Sequence, residues 1–244
     1  MQLSVSDREL LHNAFYKTAA KIASLGFEYD ILTDFKKVRT DIGAAGKELM
    51  PFFWEAYFQP NEQNGFCFVL KKDGIGIAYI CTRLVDCGSI NFNDYYTSIL
   101  RAIYSHDPDA ELDPDWACTP MQRINGKVAY SGDAVVHKDY RSMVRSAKVF
   151  GLISKLSLYF SVMMWSDINW VVGTISERDV SRGLAWYYGA TSVYPMAEKW
   201  LTLPKGRLAN YAFAVSSRDD VLYCAKAAIH RSASPTQTEH TPGS

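Results

Sequence analysis

Two β-rich runs, Phe66 to Lys71 and Ile75 to Leu84, are joined through Lys72-Asp73-Gly74, and this junction constrains the fold more than any other stretch. Asp-Gly suits the left-handed backbone angles of a tight hairpin turn, so the runs are expected to pair antiparallel. Around the hairpin, strands and helices alternate. Ser6 to Leu25 reads as a helix, with Ser6 as its cap, Asp7 and Glu9 in the first turn and Gly26 as its stop. Phe27 to Leu32 reads as a short strand, and roughly 34–58 as a second helical stretch, irregular around Gly43, Gly46 and Pro51. Residues 88–125 form an excursion with a helix, Phe92 to Tyr104, and an acidic, proline-bearing loop. Lys127 to Val136 reads as a strand, and Arg141 to Trp165 as one long helix with broad apolar coverage. Ile168 to Ile175 is apolar on both faces, as expected of a strand inside a sheet. Glu177 to Tyr188 reads as a helix ended by Gly189, and Tyr211 to Val215 with Val221 to Ala225 as a last strand pair.

That order predicts a mixed α/β fold: a partly antiparallel, partly parallel central sheet flanked by helices. The expected division is an N-terminal helix over 1–26, one domain over 27–231 carrying the inserted excursion 88–125, and a disordered tail over 232–244. With 48% apolar residues the chain has ample material for a core. Aromatic residues reach 14%, a surplus that must pack a core, line a pocket or cover an interface. Lys+Arg and Asp+Glu balance at 26 each, which lacks the basic excess of a phosphate-backbone binder, so no nucleic-acid partner is expected. No apolar run approaches the length of a membrane span, and MQLSVSDRELL has no signal-peptide core. Five cysteines without a C-x-x-C pair read as buried, reduced thiols, the pattern of a cytoplasmic protein with no membrane partner.

Several catalytic constellations are absent: there is no P-loop, no G-x-S-x-G elbow and no H-E-x-x-H. The five carboxylates Asp107, Asp109, Glu111, Asp113 and Asp115 alternate in the acidic loop, but without the Gly and terminal Glu of an EF-hand, so a solvated loop is expected and no metal. The segment from Asp133 to Ala147 runs from a strand through a short connection into a helix N-terminus bearing Arg141 and Arg145. Such a terminus presents backbone N–H groups and a positive dipole end to a pyrophosphate, and two arginines add bidentate donors. The same arginines also fit a plain solvated face.

The succession V-V-H-K-D-Y-R, long helix, D-I-N-W-V-V-G strand, then a short helix ending Y-Y-G-A resembles the GCN5-related N-acetyltransferase (GNAT) superfamily. Val136, Tyr140 and Arg141 match its V-x-P-x-Y-R-G-x-G-x-G/A segment, whereas Lys138 stands where proline is usual, and Val144 and Ser146 replace later small residues. The resemblance implies a co-substrate, acetyl-CoA or another acyl-CoA, held by Ala134, Val135, Val136, Arg141, Val144, Arg145 and Ser146. It implies that the strands at Ala134 and Asn169 diverge over an open cleft, and that a valine at 144 crowds the pyrophosphate. Family members often use a tyrosine four residues before the glycine ending the fourth helix; here that place is Ala185. Tyr188 is therefore the expected catalytic acid, with Tyr187 in reserve, and Asp133 the expected proton relay from the amine, with His137 also available. The implied activity is direct acyl transfer to a primary amine, on a small molecule or a protein. An acyl-carrier-protein donor is a variant, and a non-catalytic module that binds acyl-CoA or a protein partner is the alternative. A homodimer built on aromatics such as Tyr187 or Trp200 fits either reading.

Overall fold

A computed structural model describes residues 2–231; the tail expected to be disordered, 232–244, lies outside the described residues. In chain order the elements are α1 (Val5–Ser24), β1 (Glu28–Leu32), α2 (Phe35–Ala44), β2 (Gly65–Lys72), β3 (Ile75–Asn91), α3 (Phe92–Ile103), β4 (Glu111–Leu112), α4 (Thr119–Gln122) and β5 (Asn125–Val136). There follow α5 (Arg141–Ser146), α6 (Phe150–Met164), β6 (Trp170–Ser176), α7 (Glu177–Ser181), α8 (Leu184–Tyr187), β7 (Ser192–Tyr194), β8 (Trp200–Thr202), β9 (Tyr211–Ser217) and α9 (Arg218–Arg231). Seven strands form one sheet in the order β1-β2-β3-β5-β6-β9-β7, antiparallel throughout except for the parallel pair β5–β6. The hairpin closes as the sequence requires, with positive φ at Asp73 (51°) and Gly74 (78°).

Helices cover both faces. Alternation along the strands sends Phe66, Phe68, Ile80, Ala129 and Val171 toward α1, α6 and α9. The opposite face, through Cys81, Tyr130 and Val172, packs against α2, α3 and the turn Pro51–Phe53. α1 is part of this core: Leu11, Ala14 and Ile22 are fully buried. Among the described residues no single helix is long and apolar enough to cross a membrane.

Several elements differ from the sequence expectation, each for a local reason. Ser4, not Ser6, caps α1, its Oγ accepting from Asp7 N at 3.1 Å. The stretch 34–58 is helical only to Ala44; Gly46 at φ 84° ends it, and Pro51 opens a single turn instead. The long helix from Arg141 to Trp165 is two helices bent 87° apart, broken where Lys148 takes a φ of 50°. The helix expected over 177–188 is likewise split into α7 and α8 by Gly183 at φ 77°. Val221 to Ala225 is not a strand but lies within α9: Asp220 N bonds to Ser217 Oγ at the helix start, and Val221 and Ala225 share its buried face. In the excursion, β3 runs on to Asn91, and the acidic loop is anchored as well as solvated. Asp113 pairs with Lys199 at 2.7 Å, and β4 joins β8.

Candidate active site

β5 and β6 are parallel neighbours for only three residue pairs, Val128↔Trp170, Ala129↔Val171 and Tyr130↔Val172. Beyond them both strands continue, yet they no longer pair with each other. β5 remains bonded to β3 as far as Val136, and β6 to β9 as far as Ser176. The split is built into the backbone. On β5 the register with β3 slips between Tyr79↔Val135 and Cys81↔Gly132, a bulge that places Asp133 at φ 49°. On β6, Gly173 lies so close to β5 that a Cβ there would meet the Ser131 carbonyl oxygen at 2.3 Å. A glycine inside an apolar strand is a sequence sign of close backbone approach.

The gap between the strands opens into a cavity of about 350 Å³. It is lined from both faces of the sheet: Ser154, Leu158, Ala185 and Tyr188 on the α6–α8 side, and Lys47, Met50, Leu208 and Tyr211 on the other. The sheet is thus pierced at its one parallel junction, so two reactants can approach the gap from opposite faces. Beyond the last bridge, the facing backbone groups of 132–136 and 174–176 have no β5–β6 partner and can hold an extended ligand.

Asp133 sits at the bulge with its side chain fully withdrawn from solvent. Its Oδ1 accepts from Lys47 Nζ at 2.9 Å and its Oδ2 from Met50 N at 2.7 Å. Burial pushes its pKa up, and Lys47 and the Met50 amide oppose that rise. Lys47 could not be foreseen as its partner, because the two are far apart in sequence and meet only through the fold. Tyr188 is half-buried against the Phe150 ring, with centroids 5.3 Å apart. Burial holds its phenol at about 12, so it stays protonated at neutral pH. Its hydroxyl has no hydrogen-bond partner among the described residues. Tyr187 points elsewhere, its ring lying against Gly151 at the start of α6.

The residues expected to hold a donor divide into three groups. Ala134 lines the cavity, with Asp133 and Tyr188. Val135 and Val144 are buried in the core, at 4% and 3% exposure, and Val136 packs beside it. The expected crowding of a pyrophosphate by Val144 is therefore corrected: α5 turns that side chain inward. Arg141, Arg145 and Ser146 are exposed on α5, a helix of six residues; the long helix, with its dipole, starts only at Phe150. Asn169 lies at the closed end of the pair, its carbonyl accepting from Arg218 N, so the divergence begins at Gly173 and not there. His137 is outside the cavity lining, its ring against Tyr140 and its Nδ1 accepting from Asp139 N.

No protein-family model and no curated protein matches this chain. Among solved structures it is similar to FeeM, an N-acyl amino acid synthase from uncultured soil microbes, at 10% identity over 80% of this chain and 92% of that one, with a TM-score of 0.42. It is also similar to a spermidine N-acetyltransferase SpeG chimera from Vibrio cholerae and hSSAT, at 9% identity over 81% and 98% with a TM-score of 0.44. A third is the aminoglycoside N(6')acetyltransferase from Legionella pneumophila, at 10% identity over 82% and 96% with a TM-score of 0.40.

Proposed function

We propose that this chain is an acyl-CoA-dependent N-acyltransferase that passes an acyl group, acetyl or longer, directly to a primary amine. The observation that carries this reading is the split between β5 and β6 with a cavity reaching it from both faces. A thioester lying along the open edge of β5 meets backbone groups at Ala134 and an apolar wall of Ile80, Leu158 and Val171. The acceptor enters from the face of Lys47, Met50 and Tyr211. Its nitrogen attacks the thioester carbon, the C–S bond breaks, and the leaving thiolate takes a proton from the Tyr188 hydroxyl. The proton lost by the amine passes by way of Asp133 toward solvent, with Lys47 holding the carboxylate in place. Arg141 and Arg145, both exposed and without an ion pair among the described residues, supply charge to the donor's phosphates.

Calorimetric titration with CoA and acetyl-CoA tests this reading. Binding in the micromolar range, followed by thiol release with an amine panel, is the expected result. No binding at millimolar ligand overturns it. Tight binding without thiol release for any amine favours the non-catalytic module, a reading supported by the structural use of Asp133 as the anchor of Lys47 and Met50.

A further inference from the structure

Arg207 and Arg83 are both withdrawn from solvent, and the fold treats them differently. Arg207 is fully partnered: its guanidinium forks onto Glu198, donates to Tyr104 Oη at 3.0 Å and lies over the Tyr211 ring at 4.8 Å. Glu198 in turn accepts from Tyr96 Oη at 2.8 Å and Trp200 Nε1 at 2.9 Å. Arg83 is 1% exposed and makes one hydrogen bond, from Nη2 to Tyr95 Oη at 2.8 Å. Its Nε and Nη1 are buried and have no partner, and no carboxylate pairs with it among the described residues. Its guanidinium lies over Phe58 at 4.6 Å and Phe52 at 5.9 Å, so aromatic rings cover the cation while its donors stay unmet. Burial lowers its pKa, as an unpaired cation requires. A buried guanidinium without a counter-anion is a costly arrangement, and its unmet donors are where an anion would be stabilised.

Position suggests which anion. Cys81 stands opposite Gly132 and Arg83 opposite Tyr130, so Arg83 is two residues, about 7 Å, along β3 from the bulge that carries Asp133. Arg83 and Cys81 face the same side of the sheet as Phe52 and Phe53, the side from which the acceptor approaches. Arg83 does not line the cavity, and Phe52 and Phe58 of the strap 51–62 cover its guanidinium. Apart from bonds within 49–65, the strap has no hydrogen bond to the rest of the described protein and is held by packing of Phe52, Phe53 and Trp54. Its leading end is hydrogen-bonded to β5 through Met50 N and Asp133, and Arg39 lies over the Trp54 ring at 4.8 Å.

We propose that Arg83 recognises a carboxylate carried by the acyl acceptor, reached when the 51–62 strap lifts, which makes the acceptor an amino acid with its amine toward Asp133. This inference rests on the acyl-transfer reading for the amine and on Arg83 alone for the carboxylate. The guanidinium matches a carboxylate in plane and charge, and Tyr95, which accepts from Nη2 and lies outside the strap, stays in place to orient it.

The test titrates the full chain with N-hexanoylglycine and with its uncharged amide, N-hexanoylglycinamide. A preference of at least about ten-fold for the carboxylate is expected in the wild type, falling to within about two-fold in Arg83→Gln. Equal affinities, binding of neither probe, or a preference that survives Arg83→Gln overturns the assignment. Acetyl-CoA, titrated separately, keeps the two failures apart. Donor binding without carboxylate preference removes the Arg83 role alone; carboxylate preference without donor binding removes the acyl-transfer reading and leaves Arg83 as an anion site. Arg83→Met, which places no polar group at position 83, is read beside Arg83→Gln in case the buried amide impairs folding. In the wild type, the Arg83 Nε–H resonance, assigned by its loss in Arg83→Lys, is expected to move with the carboxylate and not with the amide.

Discussion

The two halves of the β5–β6 pair share a strand direction, yet one half, Val128 to Tyr130 with Trp170 to Val172, is apolar and closed, and the other, with Ser131, Gly132, Asp133, Gly173 and Thr174, is open. From Val128 to Tyr130 the strands are in register with Trp170 to Val172, and their side chains fill the two cores. One residue further on, Gly173 meets the Ser131 carbonyl, the bulge at Asp133 turns β5 aside, and the cavity begins. The opening coincides with two backbone features, a glycine and a bulge. Each half should respond in its own way to substitution.

The largest effect is expected at Gly173, where the pair divides. Gly173→Ala drives a Cβ into backbone that cannot swing away, at a cost of about 3 kcal/mol or more in urea denaturation, with loss of ligand binding. A fully stable Gly173→Ala with the cavity intact would break the comparison. Tyr188→Phe is expected next: it should lower kcat about 100-fold, roughly 2.7 kcal/mol in barrier, while CoA affinity holds. A variant as active as the wild type removes Tyr188 as the acid.

Asp133→Ala is expected to cost about 2 kcal/mol, because the Met50 amide loses its buried acceptor while Lys47, 42% exposed, can turn to water. Its pH dependence has a definite sign. Burial raises the folded-state pKa, so the native state keeps a proton that the unfolded chain has released. The stability due to Asp133 is therefore full below the unfolded carboxylate range, near pH 4, and is lost as pH rises through the folded value. The stability difference between wild type and Asp133→Asn should accordingly shrink as pH climbs from about 4, and a difference that grows contradicts the assignment. The smallest effect is expected for Arg141→Ala with Arg145→Ala. Both side chains are exposed, so CoA affinity should fall about ten-fold at low salt and less at high salt.

Features carried by local chemistry were legible in the sequence. Asp73-Gly74 announced the hairpin, and the order of strands and helices announced a mixed sheet with helices on both sides. Asp133 and Ala134 line one cavity together with Tyr188, which is distant from them in sequence. What escaped depended on partners or angles that residue type does not encode. Lys148 breaks a helix at a positive φ that its side chain does not advertise. The run from Val221 to Ala225 has the composition of a strand, and only its buried face and the Ser217–Asp220 cap make it a helix. Nothing in residue type marks Arg83 as buried, because its burial depends on Phe52 and Phe58, brought to it by the fold from a distant stretch of the chain.

The central claim is that the open half of β5–β6 holds an acyl donor. Backbone amide shifts of the full chain during titration with acetyl-CoA test it most directly. The account predicts saturable shifts concentrated in 131–136 and 173–176, with residues 128–130 and 170–172 nearly still. Absence of binding at millimolar acetyl-CoA, or shifts that leave the open half untouched, would contradict it.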